Sequence, residues 1–270
     1  KVELCGSGGV QMIADPVRGL SWTGAILGVQ APEVHVCMGP AAEKAVIQLI
    51  SLCGETCETR RYERKTKLVC DDEAFRFPED VQEGDALIVF TKRAVLDIAG
   101  RLERMGVRAS VIYGSLPPEI RRRQIRMFSG HETKVVVATD AIGMGLNLPV
   151  KRIVFVHTSK FDGKNTRPLL AAEIKQIGGR AGRYGIYDTG YVNAVGQEGL
   201  DYIKEHFDEK EPDVSCVSLG FPQVLLDMDE PLDAILKIWK SVATEPPFEK
   251  ISIEDMLFLY EKAYRDRKEI

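Results

Sequence analysis

The stretch DALIVFTKRAVLDIAGRLERMGVRASVIYG, residues 85–114, decides the fold class of this chain. It opens with a segment of strand length, residues 85–91, which is continuously apolar from Ala86 to Phe90. Residues 92–106 then place apolar side chains every three or four positions and end on a glycine, which predicts a helix. A second predicted strand, RASVIYG, follows over residues 108–114. A strand, a helix and a second strand in this order indicate a parallel sheet whose strands are joined by helices.

Strands and helices continue to alternate along the chain up to residue 196. Apolar runs indicate strands, and helical apolar spacing with Gly or Pro near the ends indicates helices. We predict further strands over 33–40, 133–140, 150–157 and 189–196, and further helices over 40–54, 117–130 and 167–179. The predicted fold class is therefore α/β, a doubly wound, mainly parallel sheet with helices on both faces.

Three segments do not follow this alternation. CGSGG at residues 5–9 predicts a linker rather than a strand, and the charged residues 58–85 predict an irregular connector. Residues after 196 are acidic and have helical apolar spacing in two stretches. We therefore predict a small C-terminal helical region.

Composition and charge place the chain among ordinary globular proteins. It has 270 residues, of which 44% are hydrophobic and 28% are charged. Without an apolar run of ~20 residues or a signal-peptide pattern, we expect an intracellular protein with no membrane partner. Cys53 and Cys57 lack a second ligand pair at a fitting distance, so we expect no metal site.

Charge is distributed unevenly along the chain. Residues 1–195 hold 27 basic and 22 acidic side chains, whereas residues 196–270 hold 9 basic and 18 acidic ones. A mildly basic body with an acidic C-terminal piece fits a local face that binds phosphate groups.

The stretch VVVATDAIGMGLNLP, residues 135–149, is the first candidate site. A strand ends at Thr139, whose hydroxyl and backbone N–H can both donate to a phosphate oxygen. Asp140 can accept from a neighbouring loop or orient a basic group, and Gly143 and Gly145 let a ligand approach the backbone closely. The alternative is an ordinary turn between a strand and a helix.

The stretch QIGGRAGR, residues 176–183, is the second candidate site. Arg180 and Arg183 carry planar, permanently charged guanidinium groups that match phosphate, and Gln176 can bond to a phosphate or a bound water. A surface loop with two solvated arginines is the alternative. Because ligands of parallel sheets bind at the carboxyl ends of the strands, we expect both candidate stretches to meet at that edge.

Basic and hydroxyl residues also follow two further strands. Arg121 and three more arginines lie on the predicted helix 117–130. They could line a groove that binds a nucleic-acid backbone, or they could form a solvated helix face. Thr91 and Lys92 stand at the end of another strand.

The sequence has no G-x-x-x-x-G-K-[ST] loop and no Asp-Glu pair placed for magnesium. We therefore expect another domain to hold any phosphate that these arginines reach.

These motifs resemble a known family. VATDAIGMGLNLP is similar to motif V, QIGGRAGR to motif VI and ALIVFTK to motif IV of superfamily-two helicases. DPVRGLSW, VHVC and IYGSLPP resemble the mitochondrial degradosome type of DExH RNA helicase and its bacterial relatives. The resemblance runs from about residue 10 to at least residue 200.

The resemblance implies a RecA-like fold and ATP-driven RNA unwinding, with ATP and Mg²⁺ bound largely outside this chain. Its implied catalytic residues at the γ-phosphate are Arg180, Arg183 and Gln176, with Arg183 as the arginine finger. Its implied nucleotide-binding residues are Gly143, Gly145, Asn147, Gly179 and Gly182. Its implied RNA-binding residues are Thr91, Lys92, Gly114, Ser115, Arg121, Thr139 and Asp140.

The resemblance also implies a domain division. Residues 1–68 would be a remnant of the first RecA-like domain with a connector, residues 69–196 the second RecA-like domain, and residues 197–270 the helical region. The family has Asp-Glu where this chain has Gly8 and Gly9. We therefore expect this chain alone to hydrolyse little or no ATP.

The implied partners are RNA, the first RecA-like domain of the same protein and, as a further candidate, an exoribonuclease. The implied location is the bacterial cytoplasm in preference to the mitochondrial matrix. Two other functions stay open at this point. One is a non-catalytic RNA- or partner-binding RecA-like module, and the other is an unrelated doubly wound domain that binds a small phosphorylated ligand.

Overall fold

The computed structural model describes residues 4–16, 18–143 and 145–268, and the chain divides into two compact units. The sheet unit is residues 61–211, and the terminal unit combines residues 1–60 with residues 212–270. This grouping by contacts differs from the three parts expected from the sequence. The assignment of those parts to helicase domains stays a prediction.

The elements are as follows in chain order. The first segment of the terminal unit contains β1 (Leu4–Gly8), α1 (Gly19–Gly28), β2 (Glu33–Cys37) and α2 (Glu43–Leu52). The sheet unit contains β3 (Lys67–Cys70), β4 (Asp85–Ile88), α3 (Lys92–Arg104), β5 (Ala109–Ile112), α4 (Pro118–Ser129), β6 (Val135–Ala138), β7 (Arg152–Phe155), β8 (Ser159–Phe161), β9 (Thr166–Pro168), α5 (Ala171–Gly178), β10 (Thr189–Ala194) and α6 (Gln197–Phe207). The second segment of the terminal unit contains β11 (Val217–Leu219), α7 (Leu232–Ser241), β12 (Phe248–Lys250) and α8 (Glu254–Lys268).

Six parallel strands form the sheet of the sheet unit, in the order β3-β10-β7-β4-β6-β5. Every residue of β4 and β6 is buried, as expected for strands that are covered on both faces. The sequence shows this as unbroken apolar runs without alternation. The predicted α/β class with a parallel sheet is confirmed.

Helices cover both faces of this sheet. One face packs Ala86 and Ile88 of β4 against buried side chains of α4, α5 and α6. The other face packs Leu87 of β4 against α3, through Val95, Ile98 and Leu102 in particular. Neighbouring residues of one strand therefore serve two separate cores, and the doubly wound arrangement is confirmed.

Two parts of the sheet unit differ from the expectation. The charged segment 58–85 contains the edge strand β3, which pairs with β10 from Lys67 to Cys70. Helix α6 follows the predicted boundary at residue 196, yet its Leu200 and Ile203 are fully buried in the sheet core. Both differences arise because tertiary pairing and packing override a weak local pattern.

The terminal unit contains a strand where we expected a linker. β1 pairs in parallel with β2, residue by residue from Leu4 to Gly8. Glycine has a low strand propensity, but β2 supplies hydrogen-bond partners for the backbone groups of β1 that face it. The core of this unit includes Val46 and Leu49 of α2, which are fully buried.

Among the described residues, no helix combines the length and apolar character that crossing a bilayer requires.

A buried ion pair joins two central strands of the sheet. Arg152 on β7 donates to both carboxylate oxygens of Asp85 on β4, at 3.0 and 2.8 Å. It also donates to the carbonyl of Asp80 at 2.9 Å and lies 4.9 Å from the ring centroid of Phe75. Burial raises the pKa of Asp85 although Arg152 favours its charged form. The Gln82 N–H also donates to Asp85 at 2.8 Å, but Arg152 supplies the positive charge that balances the carboxylate.

We expect Arg152→Ala to destabilise the sheet unit by about 3–5 kcal/mol, because it leaves Asp85 buried without its cation. The loss should shrink as the pH falls, since protonated Asp85 no longer needs that cation. Urea unfolding followed by far-ultraviolet circular dichroism measures both effects. The control is Arg104→Ala at an exposed position of α3, which should change stability by no more than about 0.5 kcal/mol. A loss at Arg152 as small as that of the control would contradict this account.

Candidate functional site

The first candidate stretch crosses from one end of the sheet to the other. Strands β6 and β7 are both parallel to β4, so the chain must return from the carboxyl end of β6 to the amino end of β7. The crossover segment, residues 139–150, makes this return. Its described residues form a 3-10 turn over 140–143 and no α-helix. The first residues of the segment therefore lie at the carboxyl ends of the strands and its last residues at the amino ends.

The second candidate stretch lies at the amino ends of the strands. The arginine loop, residues 179–184, follows the C-terminus of α5 and precedes β10, which begins at Thr189. The Gly182 N–H donates to the carbonyl of Val150 at 2.9 Å, and the φ of Gly182 is 70°, in the left-handed region. A Cβ on Gly182 would lie 2.5 Å from the N and Cα atoms of Gly190. The backbone of the loop therefore packs directly on the backbone of β10.

The two arginines of the loop reach the crossover segment. Arg180 donates through Nε to the carbonyl of Gly143 at 3.0 Å and through a second guanidinium nitrogen to the same oxygen. Burial lowers the pKa of Arg180, but a guanidinium keeps its charge throughout the physiological range. Arg183 Nη1 lies 3.5 Å from the carbonyl oxygen of Asn147, which is beyond the usual range of an N–H···O bond. Arg180 is thus fixed to the backbone, whereas Arg183 is held far more weakly.

A third arginine, which the sequence analysis did not single out, faces the same loop. Arg64 donates to the carbonyls of Thr66 at 2.9 Å and Gly179 at 2.7 Å. It also donates to the carbonyl of Ala181, with a longer contact of 3.4 Å to that of Gly182. It lies in the stretch that we expected to be an irregular connector.

These groups line one open pocket of about 260 Å³. Its described lining consists of residues 64–66, 146–148 and 179–184. Four of these residues are cationic and none is Asp or Glu; the cations are Arg64, Lys65, Arg180 and Arg183. The pocket is therefore lined by cationic residues and backbone groups, with no acidic side chain among the described ones, a combination that suits a phosphate-bearing ligand.

The position of this pocket corrects one expectation. Residues 64–66 precede β3, residues 146–150 precede β7 and the arginine loop precedes β10, and all three strands are parallel. The pocket thus lies at the amino ends of these strands, not at the carboxyl ends. The two candidate stretches do meet, because the crossover segment carries its last residues to the amino ends.

The third predicted catalytic residue, Gln176, and the remaining predicted nucleotide-binding residues lie near this pocket. Gln176 lies beside Gly143, since a Cβ on Gly143 would meet Gln176 Cγ at 3.5 Å. Gly145 has a φ of 64°, and a Cβ there would meet no described atom within 4 Å, so the backbone is open to a ligand. Asn147 and Gly179 both line the pocket. The structure brings these residues together, and their roles stay predictions.

The predicted RNA-binding residues form a second group at the carboxyl ends of β4, β5 and β6. Thr139 is buried, and its N–H donates to the carbonyl of Ile112 at 2.9 Å. The expectation that this N–H donates to a phosphate is therefore wrong, because the sheet already uses it. Thr91 is the N-cap of α3 and accepts from the Ala94 N–H at 3.1 Å, and Lys92 Nζ lies 5.3 Å from the ring centroid of Tyr113.

Arg121 supports the loop that precedes its own helix. It donates to the carbonyl of Gly114 at 2.9 Å and to that of Leu116 at 3.3 Å. Gly114 and Ser115 are themselves exposed. Three further arginines of α4 are exposed, namely Arg122, Arg123 and Arg126. A basic surface therefore follows β5, with Arg121 shaping the loop between strand and helix.

Asp140 belongs to an ion-pair network that the sequence analysis did not identify. Lys160 on β8 lies 3.3 Å from Asp140 and 2.7 Å from Glu173, and Arg167 on β9 donates to both carboxylate oxygens of Glu173. Burial by itself would raise the pKa of Glu173, but hydrogen bonds from Arg167, the Leu170 N–H and Lys160 lower it to about 2. The β8–β9 hairpin thereby joins the crossover segment to the start of α5.

The chain is similar to known helicase families and proteins, in agreement with the helicase motifs in its sequence. The family of the helicase conserved C-terminal domain matches residues 66–185, and the family of the DEXQ-box helicase domain of Suv3 matches residues 3–62. The mitochondrial ATP-dependent RNA helicase SUV3 of Candida albicans is 39% identical over 209 residues, which are 76% of this chain and 29% of that protein. The human mitochondrial ATP-dependent RNA helicase SUPV3L1 is 39% identical over 204 residues, 73% of this chain and 26% of that protein. The chain thus spans less than a third of the length of these relatives.

Solved structures share the fold. Dbp5 of Saccharomyces cerevisiae, in a structure described as bound to RNA and ADP BeF3, has a TM-score of 0.56 and 17% sequence identity. The match covers 78% of this chain and 59% of the Dbp5 chain. At this identity the likeness establishes the fold alone.

The contact between Gly182 and Gly190 can be tested with two glycines of similar backbone conformation. Gly182 and Gly185 have φ values of 70° and 80°, but a Cβ on Gly185 would have no described atom within 4 Å. Gly185→Ala should therefore cost only about 1–2 kcal/mol of backbone strain. Gly182→Ala should cost roughly 1–3 kcal/mol more, because its methyl group collides with backbone atoms. Equal urea-unfolding losses for the two variants would show that the loop is not held against β10.

Proposed function

Since the chain belongs to the SUV3 branch of the superfamily-two helicases, with their RecA-like fold, we propose that it is the C-terminal helicase domain of an ATP-dependent RNA helicase. In this proposal the pocket at the amino ends of β3, β7 and β10 receives the terminal phosphate of an ATP held by another RecA-like domain of the same protein. The carboxyl-end residues and the arginines of α4 contact RNA.

One observation carries the nucleotide part of the proposal. Four cationic residues line the pocket while its described lining has no carboxylate, so an anionic group can enter without repulsion from an acidic side chain. A guanidinium placed where charge develops on a transferring phosphoryl group stabilises the transition state. Arg183 fits this role because its contact with the Asn147 carbonyl is long, at 3.5 Å. Arg180, bound to the Gly143 carbonyl, holds the crossover segment and the arginine loop together.

The described lining of the pocket does not fit a magnesium ion. Mg²⁺ prefers carboxylate and other oxygen ligands, and the lining contains no Asp or Glu. Four cations so close to the pocket would also disfavour a divalent cation. We therefore assign no magnesium chemistry to these residues.

The RNA part of the proposal rests on the second group of residues. Lys92 directly follows β4 at its carboxyl end, and α4, the helix that follows β5, carries three exposed arginines, namely Arg122, Arg123 and Arg126. Exposed basic side chains of this kind can neutralise a phosphate backbone without reading bases. The relatives are named as RNA helicases, and we extend that substrate class to this chain.

The relatives also bear on location and partners. They are named as mitochondrial proteins, so we propose the mitochondrial matrix in place of the bacterial cytoplasm that the sequence analysis preferred. An exoribonuclease partner and a role in RNA degradation remain predictions from the resemblance.

We expect Arg183→Ala in the full-length protein to lower RNA-stimulated ATP turnover by roughly 10³-fold, because it removes the charge that stabilises the transferring phosphoryl group. RNA affinity, measured by fluorescence anisotropy at fixed salt, should change by less than about threefold because the RNA-contacting residues are untouched. The exposed Arg104→Ala of α3 is the matched control and should leave both quantities unchanged. Full activity of Arg183→Ala would refute the arginine-finger assignment.

The same assay separates the helicase from a non-catalytic module. ATP turnover by the wild-type full-length protein supports the helicase, and turnover by this 270-residue chain alone should be absent with or without RNA. RNA binding without any ATP turnover by the full-length protein would favour the RNA-binding module.

A further inference from the structure

Arg64 holds the arginine loop from the edge of the sheet. Its three guanidinium nitrogens donate to backbone carbonyls: Nε to Thr66, Nη1 to Gly179, and Nη2 to Ala181 with a longer contact to Gly182. Thr66 directly precedes β3, the edge strand beside β10. Arg64 therefore connects the beginning of the edge strand with both sides of Arg180.

The carbonyls that Arg64 binds have a physical need for such a donor. Helix α5 ends at Gly178, and carbonyls at and just beyond a helix C-terminus lack intrahelical partners and carry partial negative charge. A planar guanidinium presents several N–H groups in a fixed fork, which fits several carbonyls of one tight turn. Desolvation lowers the pKa of Arg64, yet a guanidinium retains its charge at neutral pH.

Other contacts hold the loop against β10 and the crossover segment. Gly182 packs on Gly190 and donates to Val150, and Arg180 reaches the crossover segment at Gly143. Each of these contacts joins the loop to β10 or to the segment that precedes β7. Arg64 supplies the restraint from the side of β3. With both sides restrained, the point from which the Arg183 side chain leaves the backbone is fixed.

We propose that Arg64 is a positioning residue: it holds the arginine loop in the geometry in which Arg183 reaches the terminal phosphate of the nucleotide. This inference rests on the proposed function. Arg64 acts through the loop, because its guanidinium nitrogens are engaged with backbone carbonyls although the side chain lines the pocket. Its loss should therefore affect the chemical step more than the binding of ATP or RNA.

Steady-state kinetics of the full-length protein test this. Arg64→Ala should lower kcat by roughly 10- to 100-fold, as expected when a catalytic group is misplaced by about 1 Å. The KM for ATP and the Kd for RNA should change by less than about threefold, since groups that bind the ground state are retained. Arg104→Ala on α3 is again the control. An unchanged kcat, or a raised KM with the kcat retained, would overturn the inference.

A double-mutant cycle separates positioning from an independent contribution. If Arg64 acts through Arg183, the double variant Arg64→Ala/Arg183→Ala should have the same ATP turnover rate as Arg183→Ala alone, to within about twofold. Multiplicative losses would mean that Arg64 acts independently of Arg183. If Arg183→Ala itself keeps full activity, the proposed function fails, and this outcome is distinct from a failure at Arg64 alone.

A conservative variant guards against a folding defect. Arg64→Lys keeps the positive charge beside the α5 terminus but replaces the fork with a single ammonium group. It should melt within a few degrees of the wild type and still have a reduced kcat, between those of Arg64→Ala and the wild type. Wild-type kcat in a folded Arg64→Lys protein would show that the fork geometry is not required and would overturn the inference.

Discussion

The arginine loop has no clearance against strand β10, and the rest of the candidate site depends on this contact. A Cβ at Gly182 would lie 2.5 Å from Gly190, and a Cβ at Gly190 would lie 2.5 Å from the carbonyl carbon of Ala181. Two facing glycines therefore let two backbones approach more closely than any side chain allows. The loop gains its position from the hydrogen-bonded sheet itself. Arginine side chains on such a loop start from a fixed point and need less ordering when a ligand arrives.

The crossover segment gives the two groups of site residues a common support. It begins at Thr139, among the residues at the carboxyl ends, and ends at Val150, whose carbonyl binds the Gly182 N–H of the arginine loop. Arg180 adds a second connection at Gly143, between the two ends of the segment. Under the proposed function, one short length of backbone therefore contacts both RNA and the nucleotide pocket. A displacement of this segment at one end should alter the other end, because a single segment of twelve residues joins them and Arg180 holds it at Gly143.

The fold was largely predictable because its central strands are buried on both faces. Apart from Asp85, β4 and β6 appear in the sequence as unbroken apolar runs, and α3 and α4 are followed by glycines after regular apolar spacing. β3 could not be predicted in the same way, because it is a short edge strand within a charged stretch and its hydrogen bonds come from β10. β1 is a similar case, with three of its five residues being Gly or Ser. In both cases the pairing with a partner strand, and not the local sequence, determines that the segment is a strand.

Some features of the candidate site could be predicted from local sequence, and others depend on tertiary structure. Arg180, Arg183 and the glycines around them could be identified because each has a chemical character that suits phosphate. The end of the sheet at which they lie could not be inferred, because the rule that ligands bind at the carboxyl ends describes ligands held by the turns after the strands. Here the arginine loop comes after a helix and before a strand. Arg64 could not be identified either, because it resembles Arg60 and Arg61 near it in sequence. What distinguishes Arg64 is a set of carbonyls more than a hundred residues away along the chain, and only the folded backbone brings these groups together.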